Sequence, residues 1–344
     1  MSMYLKRYIY ERPEWPNFTI DYEPVAELLR EIRLRHGKQI GRLETLGVEA
    51  CENTMLSAVT SEVVKSSEVE GELLDESKVR SSLANKLGIT RAGLTESTRD
   101  VDSIVEMMLD ATMRFDLPLT EERLFGWHCL LFTTGRSGMR RIKTGGYRDS
   151  VMQVVSGAMG KETVHFEAPP PENVKPQMDE FLKWSSNPSK IDPVILAALA
   201  HFRFVTIHPF DDGNGRIARA IAEMMLARAE NSKLRYYSMS TQIMADRKEY
   251  YDILEETQKY GGNPNEWVKW FLECLLRAIK ESESALSQVI KKIEFWDRHT
   301  KTEMNDRQRR MLNMLLDGFT GKMQTSKWAK IAKCSTDRRQ NTPA

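Results

Sequence analysis

Apolar residues return every three to four positions along most of this chain, the spacing that lines one face of an α-helix. In "PVAELLREIRLRHGKQIGRLETLG" the stripe is Val25, Leu28, Leu29, Ile32, Ile40 and Leu43. A second stripe runs from about Asn53 to Glu70 through Met55, Leu56, Val59, Val63 and Val64, and Gly71 supplies a stop signal. "DESKVRSSLANKLG" and "DVDSIVEMMLDATMRF" keep the same texture. "LTEERLFGWHCLLFTTG" opens on Thr120 as half of a capping box, with Arg123 where a glutamate would complete it. Pro193 to Ile207 is the most apolar segment, yet it holds His201 and Arg203 and is too short to cross a bilayer, so it predicts a buried core helix. Helices continue through "DRKEYYDILEETQKYGG" and "NEWVKWFLECLLRAIKESES", where Trp267, Trp270 and Phe271 read as packing residues, and a polar helical connector follows to about Thr302.

One stretch breaks the helical period. "TGGYRDSVMQVVSGAMGKETVHFEAPPP" combines several glycines, alternation through Val151, Gln153 and Val155, and a proline terminus, predicting a β-hairpin from Gly145 to Gly157. Residues 1–22 are aromatic and punctuated by proline, which predicts an extended arm packed on a larger body. Beyond Thr302, "NDRQRRMLNMLLDGF", "QTSKWAKIAK" and "CSTDRR" read as the opening helices of a helix-turn-helix or winged-helix module, with too few residues to complete it. The expected fold is mainly α.

Composition changes little in this picture. With 344 residues, 41% hydrophobic, 29% charged and a net charge of +1, the chain has material for a sizeable core and no global charge suited to nucleic acid or membrane. From Lys301 onward ten Lys/Arg stand against four Asp/Glu, so the C-terminal module is locally basic. Cys51, Cys129, Cys274 and Cys334 are far apart, suggesting neither a zinc knuckle nor a disulfide framework. The opening "MSMYLKRYIYERPEWPNF" lacks the apolar core of a signal peptide, so a reducing cytoplasm is expected.

The candidate chemistry lies at His208 to Arg219, "HPFDDGNGRIAR". An apolar helix ends at a histidine, and a new one opens near Gly215 with Arg216 and Arg219 in its first turn. Cations are disfavoured there by the helix dipole, by a few tenths to ~1 kcal/mol each, so an anion should compensate. Gly213, Asn214 and Gly215 suit a backbone anion nest at a helix N-terminus. Arg216 and Arg219, three apart, share a helix face and present forked donors for phosphate. Asp212 is placed to hold Mg²⁺ against phosphate oxygens, and His208 to take a proton from a hydroxyl. His201 is seven helical residues away, ~10 Å of rise, too far to share a metal with His208.

These residues fill every fixed position of the Fic motif, His-Pro-Phe-x-(Asp/Glu)-Gly-Asn-Gly-Arg-x-x-Arg, and the chain resembles that family. The resemblance implies a helical core that transfers AMP from ATP to a Ser, Thr or Tyr hydroxyl of a protein, releasing pyrophosphate. It implies His208 as general base, Asp212 as the Mg²⁺ ligand, and Gly213, Asn214 and Gly215 as the anion hole. Arg216 would contact the phosphates and Arg219 would hold the γ-phosphate. The hairpin resembles the family's flap, with Gly146, Tyr147, Val151, Gln153, Val155 and Gly157 aligning a target strand through main-chain bonds. Tyr250 and Tyr251 fall where Fic proteins often place aromatic groups near the adenine, although one of them is equally read as core.

"SSEVEGE" adds a second misplaced charge, because Glu70 closes a helix whose C-terminus disfavours anions. Ser66, Glu70 and Gly71 match the family's inhibitory motif, (Ser/Thr)-x-x-x-Glu-(Gly/Asn), which implies that Glu70 pairs with Arg219 in place of the γ-phosphate. "YIYERPEWPNF" and "EVVKSSEVEGELLDESKVRSSLANKLGI" resemble the N-terminal domain of many bacterial Fic proteins. The expected division is 1–95 for that helical domain, 96–280 for the Fic core, 281–302 for a connector and 303–344 for the partial winged helix. The unfinished module argues against DNA binding. A homodimer and self-modification are expected, and the protein target is not specified. Two further readings stay open: removal of AMP or transfer of another nucleotide, and a non-enzymatic regulator that senses nucleotide.

Overall fold

The computed structural model describes residues 7–89, 95–157, 161, 163–186, 191–233 and 235–316, with 324, 327 and 330. Its helices are α1 (Ala26–Leu43), α2 (Val48–Val69), α3 (Glu76–Lys86), α4 (Arg99–Met113), α5 (Glu121–Leu131), α6 (Pro171–Ser186), α7 (Pro193–Ile207), α8 (Asn214–Glu230), α9 (Met239–Ala245), α10 (Arg247–Gln258), α11 (Pro264–Arg298) and α12 (Asp306–Leu316). Two antiparallel ribbons accompany them, β1 (Arg136–Ser137) with β2 (Arg140–Arg141) and β3 (Gln153–Ser156) with β4 (Thr163–Glu167). The fold is mainly α, as the periodicity predicts.

The apolar segment from Pro193 becomes the central helix. Asp192 accepts a hydrogen bond from Val194 N at 2.9 Å and Pro193 takes the first helical position, so α7 starts where both residues favour a start. Helix α8 packs along α7, and Trp267 of α11 donates its buried indole N–H to Ala198 O at 2.7 Å. This main core, with Phe204, Ile217, Ile221 and Phe271, also takes in Ile9 and Ile20 from the N-terminal arm and Val25 from the turn before α1. A second cluster joins Leu56 and Val63 of α2 to Leu83 of α3 and to Ile104, Val105 and Met108 of α4.

The clusters do not follow a boundary at residue 95. Helix α4, beyond it, completes the second cluster, whereas the arm and α1, before it, complete the first. Periodicity shows which face of a helix must be buried and is silent on its partner.

Four further differences bear on the sequence expectations. The arm is only partly extended, with a 3₁₀ turn at Ile9–Glu11, and Tyr8 forms an isolated bridge to Lys259; a second 3₁₀ turn, Glu23–Val25, leads into α1. The hairpin starts at Gln153 rather than Gly145. Its return strand is β4, with a register shift between Val154 and Val155, and residues 145–152 hold no strand. Ribbon β1–β2, two residues per strand, is too short to leave an alternation pattern. The 281–302 connector is mostly the continuation of α11 to Arg298, with Leu286 buried, and Trp296 Nε1 donates to Asn313 Oδ1 of α12 at 2.9 Å. Of the 303–344 module, the part beyond 316 lies outside the described residues apart from three isolated positions. No helix of the described residues is long and apolar enough to cross a membrane.

Candidate active site at the start of helix α8

Pro209 stops α7, and His208, its C-cap, turns the chain with left-handed dihedrals, φ 52° and ψ 58°. A non-glycine residue in that region costs of order 1–2 kcal/mol, so neighbours must hold it. Arg148 does so. Its backbone N–H donates to Pro209 O (2.9 Å), Nε to His208 O (2.8 Å) and Nη2 to Pro169 O (2.6 Å). Asn214 closes the other side, accepting from Phe210 N (3.0 Å) and donating to Phe210 O (2.8 Å). Beneath the turn, Phe210 stacks on His128 at 4.2 Å, and His128 bridges Gly145 N and Asp212 O, each at 3.2 Å.

His208 Nδ1 lies 3.1 Å from Val205 O. A carbonyl only accepts, so Nδ1 carries the proton and Nε2 keeps its lone pair. Burial first, and then Arg148, pulls the imidazole down to about 4, although the Val205 hydrogen bond opposes this. The ring is therefore a neutral, oriented base at pH 7.

Helix α8 opens at Asn214 with no side-chain cap and no acid in its first turn. The N–H groups of that turn have no acceptor within the helix. Gly213 supplies the left-handed turn at φ 80°, where a Cβ would stand 2.8 Å from Phe132 Cε2. Asn214 and Gly215 are already helical, so the left-handed backbone of the expected nest is confined to Gly213. Gly215 serves another purpose: a Cβ there would collide with Glu70 Oε1. The Glu70 carboxylate thus lies over the open end of α8, where a helix N-terminus favours an anion.

Both misplaced arginines have partners. Arg219, 1% exposed, donates from Nε to Ser66 Oγ (2.9 Å) and from Nη2 to Ser66 O (2.7 Å) and Glu70 Oε1 (2.9 Å). Arg216 contacts Glu72 Oε2 at 2.5 Å and has its guanidinium 5.0 Å from the Phe132 ring centre. Glu72 belongs to neither motif of the sequence. Its placement comes from the end of α2, where Gly71 (φ 84°) donates to Glu68 O and Glu72 N to Ser67 O, a Schellman motif that reverses the chain. Helix α10 secures the same end, through Arg247 Nε on Val69 O (2.8 Å) and Tyr251 OH on Glu70 Oε2 (3.2 Å).

The expected aromatic pair separates. Tyr250 is buried, packed edge-on to His201 and tilted against Trp267 and Trp270, with its hydroxyl 3.2 Å from His201 Nε2. Tyr251 faces a cleft of about 460 Å³ lined also by Glu70, His208, Gly215 and residues of β3 and β4. Among the flap residues, Gln153 and Val155 lie on β3, Val151 precedes it and is exposed, and Gly157 follows it. Tyr147 packs against Phe125 and Phe210, with Gly146 beside it, so these two belong to the support of the His208 turn rather than to the hairpin. "GGYR" was legible as a motif, but the function of its Arg148 was not, because its acceptors are carbonyls that any sequence would provide.

Asp212 accepts from Gly213 N at 2.6 Å and pairs with the Ser137 hydroxyl. Among the described residues, no three His, Cys, Asp or Glu gather in metal-binding geometry. A lone carboxylate beside an anion cradle suits Mg²⁺, which commonly takes one or two protein carboxylates and completes its shell with phosphate oxygens and water.

A neutral histidine, a helix start with free N–H groups and two forked cations on that helix are parts suited to phosphate. Residues 118–226 match the Fic/DOC family model, so this segment of the chain is a Fic domain. Residues 8–89 match a second model, described as a domain of unknown function (DUF4172). Over 113 residues the chain is 34% identical to the protein adenylyltransferase Fic of Nematostella vectensis, covering 32% of this chain and 25% of that one. It is 41% identical over 61 residues to protein adenylyltransferase fic-1 of Caenorhabditis elegans, covering 17% and 12%. The matched stretch is therefore a quarter or less of these relatives. A Fic family protein from Desulfovibrio desulfuricans G20 superposes with a TM-score of 0.60 at 21% identity, covering 93% of this chain and 86% of that one. Fic-1 from C. elegans superposes with a TM-score of 0.52 at 20% identity, covering 79% and 74%.

Proposed function

We propose that this protein is an autoinhibited protein adenylyltransferase, moving AMP from ATP to a Ser, Thr or Tyr hydroxyl of a protein and releasing pyrophosphate. The observation that carries the reading is the competition for Arg219: a carboxylate from α2 now lies at a helix start suited to phosphate. His208 Nε2 takes the proton of the attacking hydroxyl, and its αL turn, clamped by Arg148, fixes where that proton is collected. The first turn of α8 holds the phosphate chain through its N–H groups, with Arg216 and Arg219 neutralising charge as the bond to pyrophosphate breaks. Asp212 would hold Mg²⁺, which would supply charge neutralisation on the phosphates. With Glu70 on Arg219, ATP sits without its γ-phosphate anchor and transfer is suppressed.

Labelled ATP carrying the label on its α-phosphate tests this. Glu70→Gly should label proteins of a host lysate far more strongly than the wild type, and adding His208→Ala should remove that gain by roughly 10²–10⁴-fold. Equal labelling by wild type and the Glu70 variant would exclude autoinhibition. Product masses separate the addition of AMP from its removal or the transfer of another nucleotide.

A further inference from the structure

The cleft holds a second histidine with a hydroxyl already on it. Ser156 Oγ of β3 lies 2.6 Å from His165 Nε2 of β4, and His165 Nδ1 lies 2.7 Å from Glu255 Oε2 of α10. The carboxylate only accepts, so Nδ1 carries a proton. In the neutral ring Nε2 then offers its lone pair, and the serine hydroxyl donates to it. This is the polarity of a nucleophile, its base and the acid that orients the base. Ser156 is exposed, and all three residues line the same cleft as His208 and Gly215. Fixing β4 to α10 requires only the His165–Glu255 contact. The Ser156 hydroxyl is a further group, on a residue that lines the same cleft as Gly215 at the start of α8.

We propose that Ser156 is an internal acceptor, a modification site that takes AMP from ATP bound at the start of α8, with His165 as its base. The proposal rests on the adenylyl-transfer reading. In the step, the Ser156 proton passes to His165 Nε2 while Oγ bonds to the α-phosphorus. The bond from that phosphorus to the pyrophosphate oxygen breaks, and pyrophosphate leaves with its electron pair. The product is a Ser156 phosphodiester, which places AMP and one negative charge on β3.

The test incubates the Glu70→Gly protein with ATP and Mg²⁺, digests it, and maps AMP by mass spectrometry. AMP should appear on Ser156. Ser156→Ala should lose that label, Ser156→Thr should keep it at position 156, and His165→Ala should slow it by roughly a hundredfold. A fluorophosphonate probe, which reads serine nucleophilicity without ATP, should label Ser156 in the wild type and not in His165→Ala. AMP found on other residues or on lysate proteins, with position 156 unmodified, overturns the proposal and leaves adenylyl transfer standing. AMP found nowhere overturns both, and a Ser156 inert to fluorophosphonate removes the relay.

Discussion

Arg219 meets three acceptors from the end of α2, while its Nη1 is buried without a partner. Removing one member of a fully buried ion pair costs about 3–5 kcal/mol, and Glu70, at 30% exposed, makes about 1–3 kcal/mol the better expectation. Glu70→Gly should therefore melt below the wild type without nucleotide. ATP should then stabilise it more than it stabilises the wild type, since the γ-phosphate gains Arg219. Thermal shifts with and without ATP read this directly, and equal ATP shifts in both proteins would count against the competition. The histidines carry a second residue-scale expectation. Burial depresses His201 to about 3 and His128 and His208 to about 4. Each binds fewer protons folded than unfolded, where imidazole titrates near ~6.5. Their contribution is fully present above that value and is lost as pH falls toward about 4, at up to ~1.4 kcal/mol per pH unit per group. The urea midpoint should accordingly drop between pH 7 and pH 5. It should drop less in His201→Phe, which keeps a ring against Trp267 without the titrating nitrogens; an unchanged slope would show that His201 does not contribute.

At the scale of elements, one glycine directs two glutamates. Gly71 lets α2 end in a Schellman turn, so Glu70 faces Arg219 and the next residue but one, Glu72, faces Arg216. Alanine at 71 would force a Cβ into the left-handed region, about 1–2 kcal/mol, and should relax both contacts. Gly71→Ala should thus lower the melting point and raise AMP transfer together. A lowered melting point with unchanged transfer would mean that the turn stabilises α2 without restraining the site. The Ser66–Gly71 end of α2 and the motif of α8 were legible because their residues are defined by spacing, and spacing survives in a sequence. Glu72, Arg148 and His128 were not, because each acts through a contact across loops far apart in the chain. The hairpin was legible in kind but misplaced, since the glycines of 145 and 146 serve a turn packed on Phe210 and the pairing strand lay downstream at Thr163–Glu167.

Across the whole molecule, α2 is the beam that joins the two apolar clusters, contributing Leu56 and Val63 to one and Val69 to the other. Its face toward α8 and α9 carries Glu62, Ser66 and Glu70 at four-residue spacing, so one side of the helix reaches both the site and a remote anchor. At the anchor, buried Glu62 accepts from Ser238 Oγ (2.8 Å) and Ser240 N (2.9 Å) and pairs with the Ser240 hydroxyl. Removing the carboxylate leaves those donors unpaired, a cost of about 1–3 kcal/mol. If α2 holds Glu70 in place as a rigid body, Glu62→Ala should raise AMP transfer although it touches no group of the cleft. In the Glu70→Gly background the same change should add nothing, because the restraint it relaxes is already gone. Transfer rates for wild type, both single variants and the double variant close the cycle. Independent, multiplicative effects, or a destabilised Glu62→Ala protein with wild-type transfer, would mean that Glu70 is held by its local contacts alone and that the anchor serves stability only.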